Sequence, residues 1–338
     1  MYNKNMNIKM DKLKKILMID NLFLPKWTIK KMVYVGILIA ISVAFVIVIA
    51  EIMPWTVIPS YKIAFIGLPI KIAGFIFGPA IGLFVGVISD ILSILFIPPA
   101  GYNPLYTVAT AMNGFIAGIF GFYFLNIINK AFSAEYKIQK IQQKIALKSL
   151  KYNHFKEIGN QYKADKIALV IIKLNTRKKY IEDKKEEKLL VNINLLTGIL
   201  CLVLVISLIT LLLIKTPDSN LENSIIKNRI ALMVLMSIGT CSMIVFILFS
   251  RFLMKPKNYI ILVPIIVFSA FLELINVPLL SLADLYSIGS FNIKDIFIWI
   301  TQHILASPIK IWVNTFVIFF SYSIISKLIN KTEKISYK

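Results

Sequence analysis

Eight polar or charged side chains sit inside stretches otherwise built of Ile, Leu, Val and Phe: Lys71, Asp90, Asn113, Glu273, Asn276, Gln302, His303 and Lys310. In hydrocarbon each is costly, about 2.5–3.5 kcal/mol for a central lysine or aspartate on insertion scales, so such groups face a bundle interior or a cavity. Three chemistries suit the set. Lys71 and Asp90 can neutralise each other across adjacent helices as a buried ion pair. Glu273 and His303, with Asn276 and Lys310, can converge on a small anionic ligand. Asp90, Glu273 and His303 can act as acid, base or ligand groups of a membrane-embedded enzyme, provided they come within hydrogen-bond reach of one reacting atom.

Other chemistries lack their residues. None of the 14 glycines precedes a lysine, so the G-x-x-x-x-G-K-[ST] loop that cradles ATP phosphates is missing. There is no H-E-x-x-H and no C-x-x-C. Cys201 and Cys241 fall inside apolar runs, where they behave as small hydrophobes, so neither a disulfide framework nor a metal site is implied. No cofactor is called for.

The elements that must position these groups follow from composition. Of 338 residues, 58% are hydrophobic and only 16% charged, with mean hydropathy +0.77; soluble chains carry about 25% charged residues. The expected fold class is an all-α integral membrane protein of about eight spans, at 32–53, 62–77, 79–97, 105–128, 190–214, 229–250, 259–282 and 296–326. Gly78-Pro79 separates the second and third by a tight turn. The first apolar run is long enough to span and follows a basic segment, which reads as a retained helix rather than a cleaved signal.

Basic residues test the orientation. Residues 1–31 hold 8 Lys/Arg, 129–190 hold 16, 251–258 hold 3 and 327–338 hold 4, so 31 of 38 lie on one side. The positive-inside rule then puts both termini in the cytoplasm of a multi-pass cell-membrane protein, with His154 and His303 on opposite sides. Within the basic N-terminal segment 1–31, residues 10–24 read either as an interfacial helix or as a basic tail. Residues 129–189 read as a basic cytoplasmic insertion, a solvated helical extension of the fourth span brushing anionic lipid, with no nucleic-acid partner called. Residues 190–258 form an extra transmembrane hairpin, 259–326 the last two core spans and 327–338 a cytoplasmic tail.

Small residues recur every fourth position at Gly36, Ala40 and Ala44, a smooth stripe that lets another helix approach closely. Gly82/Gly86 and Gly114/Gly118 repeat the spacing, where internal packing is the expected use.

Leu68-Pro-Ile-Lys-Ile-Ala-Gly-Phe-Ile-Phe-Gly-Pro79, then Gly82 to Asp90 (GLFVGVISD), then Pro98-Pro-Ala-Gly-Tyr-Asn-Pro104, resembles the S component of energy-coupling-factor (ECF) vitamin transporters, and most of all the folate-type group. Asn276-Val-Pro-Leu-Leu-Ser-Leu282 is similar to that family's asparagine-led segment, with Leu279 in place of the usual tryptophan. Ala40-x-x-x-Ala44 matches the motif by which S components dock on the coupling subunit, which gives Gly36, Ala40 and Ala44 as the coupling face. The likeness covers 32–128 and, more loosely, 259–326, which together make a six-helix bundle.

The resemblance implies a vitamin-binding subunit without enzymatic activity. It captures its ligand in a pocket open to the outside and topples on a transmembrane coupling subunit driven by two cytosolic ATPases. Loops 53–61, 97–104 and 283–295 would gate the pocket. Tyr102, Asn103 and Tyr106 would close its mouth; Asn113, Asn276, His303 and Lys310 would supply deep polar contacts; Trp55, Tyr61 and Trp299 would sandwich a planar ring. Folate is the first ligand, pantothenate or riboflavin the alternatives. The family's arginine near the end of helix one is missing from Ile49-Ala-Glu-Ile-Met53, and Lys62, Lys71 or Lys310 is left to carry that charge. All these polar groups are expected to surround one outward-opening cavity.

Overall fold

Prolines and caps set where the helices begin. In a computed structural model describing residues 29–52, 59–96, 102–184, 187–221, 224–287, 289 and 295–335, four helices start on proline: α2 (Pro59–Phe77), α3 (Pro79–Phe96), α4 (Pro104–Gly121) and α11 (Pro256–Ser287). Proline fits that position because its missing N–H has no intrahelical partner there. Asn103 caps α4, its Oδ1 accepting from Leu105 N at 3.0 Å. Gly78 turns the chain between α2 and α3 at φ +101°, a conformation costly for any side-chain-bearing residue.

The other elements are α1 (Ile29–Ile52), a π-helical turn (Phe122–Ile128) leading from α4 into α5 (Asn129–Phe132), α6 (Ala134–Glu157), α7 (Gln161–Lys184), α8 (Glu187–Lys215), α9 (Asp218–Leu221), α10 (Arg229–Leu253) and α12 (Ile296–Ile335). The described residues are helical and contain no strand. Among the described residues, seven helices are long and apolar enough to cross a membrane: α1, α3, α4 with its π turn, α8, α10, α11 and α12. The chain is thus an all-α, multi-pass membrane-embedded protein.

Of the eight expected spans, the one at 62–77 falls on α2, a helix of 19 residues whose apolar part among the described residues is Gly67–Phe77. Its buried run of Leu68, Ile70, Ile72, Ala73 and Phe75 packs among α1, α3, α4 and α12 as a core element. Two further ends move. α11 continues past the expected 282 to Ser287, and α12 past 326 to Ile335.

α11 is the wall shared by two cores. Ile265, Phe268 and Leu272 face a cluster with Val35, Leu38, Ile70, Phe75, Ile81 and Ile116. Val263, Ile266, Val267, Ala270 and Val277 face a second cluster with Leu202, Val205 and Ile209 of α8 and Leu232, Met243 and Ile247 of α10. The extra hairpin therefore packs against the far side of α11. Residues 129–184 are mostly helical as expected, but not as one extension of the fourth span. Ser133 breaks the chain and caps α6 by accepting from Tyr136 N at 3.2 Å, and Gly159 at φ +73° then turns it back into α7. Ile141, Ala164 and Ile181 are buried in this hairpin.

Backbones come closest where α2, α3 and α4 meet. A Cβ built on Gly74 or Gly82 would fall on the Gly114 carbonyl, and one built on Gly86 would lie 2.7 Å from Ala111 Cα. The Gly82/Gly86 and Gly114/Gly118 pairs are internal packing. The Gly36 stripe differs, since a Cβ there meets nothing within 4 Å and Ala40 and Ala44 are exposed. Gly114→Leu should therefore lower stability by at least the 1–3 kcal/mol typical of overpacking, roughly, while Gly36→Leu should leave it unchanged. Thermal unfolding of both variants in detergent checks this.

Candidate functional site

The polar residues of α4, α11 and α12 stack along helix faces at spacings of three, four and seven, and they meet in two layers. Near the end where α4 begins and α11 ends, Asp284 is 1% exposed and accepts from Tyr106 OH at 2.6 Å through Oδ1. Its Oδ2 lies 2.9 Å from Nε2 of buried His303. A carboxylate has only acceptors, so Nε2 carries the proton in this contact. Asn103 ties the same corner by donating to Ala283 O at 2.9 Å. Alongside, Thr107 donates to Asp90 Oδ2 at 2.6 Å, its one proton thereby spent, so Tyr102 OH is the donor in its 2.8 Å bond to Thr107.

The deeper layer adds α2. Asn276 Nδ2 donates to Asn113 Oδ1 at 2.8 Å, both residues buried. Lys310 Nζ pairs with Glu273 Oε1 at 3.0 Å, and Ser307 donates to Glu273 Oε2 at 2.6 Å. Lys71 lies back along α2 over Gly67, as helical side chains do. A Cβ on Gly67 would be 3.0 Å from Asn113 Nδ2 and 3.5 Å from Lys71 Cε. Glycine at 67 is what leaves room for both groups. Lys71 is 5% exposed and interacts electrostatically with Glu273 and Lys310, with no hydrogen bond or ion pair of its own among the described residues. Asn276 Oδ1 is buried without a partner there as well. Two lysines against one glutamate leave this layer with a positive surplus.

Several expectations change here. The Lys71–Asp90 pair does not form: Asp90 is engaged by Thr107, and Lys71 turns toward the α11–α12 pair. Residues 283–287 are the last turn of α11 rather than part of a gating loop. Asn103 caps a helix and joins two others. Of the three acid–base candidates, Asp90 bonds Thr107, Glu273 bonds Lys310 and Ser307, and His303 bonds Asp284. Trp299 is half-buried one turn before His303, whereas Trp55 lies outside the described residues, as do 53–58 and 97–101, and Tyr61 belongs to the first turn of α2.

A cavity of about 260 Å³ lies between α8, α10, α11 and α12, across α11 from the glycine contact. Glu273 and Ser307 reach its wall, but Lys71, Asn113, Asn276, His303 and Lys310 do not line it. Sequence reasoning missed Asp284, Ser307 and Thr107. Asp284 had a usable signal, since it falls four residues after Leu280 and so continues the buried face of α11. Ser307 stands four residues after His303 and three before Lys310.

No known protein family, curated protein or solved structure matches this chain.

The ion pair gives a test of the geometry. Glu273→Leu and Lys310→Met should each cost up to about 3–5 kcal/mol, because each strands a largely buried charge. The double variant should lose less than the sum by about 0.5–3 kcal/mol. Lys71→Met and Asp90→Leu, by contrast, should add to within about 0.5 kcal/mol. Denaturation in detergent measures both cycles.

Proposed function

We propose that this chain is the substrate-binding S component of an ECF-type vitamin importer, most similar to the folate-type group, seated in the cell membrane with both termini cytoplasmic. The sequence resemblance over 32–128 and 259–326 supports the reading. The observation that carries it is the buried positive surplus where Lys71, the Asn113–Asn276 pair and the Glu273–Lys310 pair meet at mid-bundle. An uncompensated charge in a low-dielectric interior is expensive, and an anionic group on the ligand balances it. Asn276 Oδ1 is free among the described residues to accept from a ring or amide N–H on the same molecule. Lys71 supplies the charge that the missing helix-one arginine would have given. Folate is the first ligand on this reading.

The small-residue stripe of α1 fits the second half of the role. Gly36, Ala40 and Ala44 lie exposed on a helix that packs only its other side against α2 and α3. A smooth face permits close helix approach by a transmembrane coupling subunit, which two cytosolic ATPases would drive.

Isothermal titration of the purified chain against folate, pantothenate and riboflavin tests the binding role. One vitamin should bind tightly, and Lys71→Met should weaken it at least tenfold, about the worth of one charged hydrogen bond. Absence of tight binding to every member of the panel removes the proposal. Separately, Ala40→Trp or Ala44→Trp should abolish co-purification with a coupling subunit and leave ligand affinity intact; unchanged co-purification would show that the stripe has another use.

A further inference from the structure

The cavity across α11 shares only Glu273 and Ser307 with the polar centre of the vitamin reading. Its lining is Val, Ile, Leu, Met and Phe from four helices, two of them belonging to the extra hairpin, and only four polar residues reach it: Thr216, Thr240, Glu273 and Ser307. Three of these are satisfied. Thr216 donates to Leu212 O at 2.9 Å, Ser307 donates to Glu273, and Glu273 is neutralised by Lys310. Thr240 differs. It is 7% exposed, and its hydroxyl has no hydrogen-bond partner among the described residues. Thr110, Thr176, Thr210, Thr216 and Thr301 each donate to the carbonyl one turn back, so this bond is open to a helical threonine and Thr240 does not make it. Beside it, a Cβ on Gly239 would meet nothing within 4 Å.

Beside the cavity, Ser224 Oγ bonds Thr301 Oγ1 at 2.7 Å, and Arg229 donates to Thr216 O and Asp218 Oδ1 at 2.6 Å each. Leu212 lines the cavity and is also 60% exposed on the apolar surface of α8, which puts the cavity beside the bilayer. Thr240 lies eleven residues into α10, about 16 Å along the axis, near the middle of a ~30 Å hydrocarbon core.

We propose that this cavity binds an uncharged lipophilic molecule carrying one oxygen function, an alcohol or carbonyl, that enters from the bilayer and hydrogen-bonds Thr240. The walls hold no unneutralised charge, which excludes an ionic ligand. The depth excludes recognition of a phospholipid, whose ester oxygens stay at the interface and would leave Thr240 unpaired. An empty apolar cavity stays dry and takes apolar guests, so the oxygen is the only part needing a specific partner. This site is independent of the vitamin reading and stands or falls without it.

Photolabelling of the full chain in phosphatidylcholine nanodiscs tests it. The probes are a diazirine-bearing hexadecanol, the matching hexadecane, and a phosphatidylcholine with the diazirine in its acyl chain. The alcohol should label the cavity walls on α8, α10, α11 and α12 in preference to the other two probes. Thr240→Val, nearly isosteric, should reduce that labelling about 3- to 10-fold, the range of one net hydrogen bond. Gly239→Leu should abolish it by filling the space, with thermal unfolding no lower than wild type. Equal labelling by hexadecane or by the phospholipid probe, labelling spread over outer helix faces, or no effect of Thr240→Val would each overturn the proposal. Vitamin titration of Thr240→Val should be unchanged, which separates failure of this site from failure of the other.

Discussion

Gly114 presents its carbonyl where a side chain on Gly74 or Gly82 would have to stand, and on that contact the first half of the bundle depends. Inside a membrane no hydrophobic force pulls helices together, because lipid is as apolar as leucine; close van der Waals approach takes its place. Three glycines on three helices provide that approach. The same closeness brings Asn113, one residue before Gly114, against Gly67 and Lys71 on α2. A helix packed among α1, α3, α4 and α12 can carry a lysine into the interior because its neighbours, not lipid, surround it.

The polar layers obey a stricter rule. Water is absent from hydrocarbon, so each polar group needs a partner from another helix or from its own backbone. Asp284 satisfies it through Tyr106 and His303, Glu273 through Lys310 and Ser307. Lys71 and Asn276 Oδ1 in one layer and Thr240 across α11 are among the places where the protein holds unmet bonding capacity among its described residues. They lie on the two sides of α11. α11, with its two cores, separates a polar centre beside α2 and α4 from an apolar chamber beside the extra hairpin.

How much of this could be read beforehand depended on range. Helix starts at Pro79 and Pro104 were legible to within a residue, since proline and its neighbours act locally, whereas the start at Pro256 lies three residues before the expected 259. The end of α11 was not legible: Asp284 looks like a loop residue until Tyr106 and His303 are known to await it. The Lys71–Asp90 pairing failed for a related reason, as opposite charges on successive helices invite a pair that sequence cannot orient. Thr107, on a third helix, takes the aspartate. For the candidate site, the polar set was largely named in advance, but its division into two layers and the position of the cavity were not.

Composition alone determined that this chain lives in a membrane, as helices, with its polar minority turned inward, because transfer costs summed over some twenty residues leave no alternative. Small-residue spacing determined where helices can touch. Only the tertiary structure decided which polar group meets which, how α2 packs among its neighbours, and that a cavity lies beyond α11. Those outcomes depend on side chains far apart in sequence competing for the same few partners, and that competition is settled only when all the helices are packed.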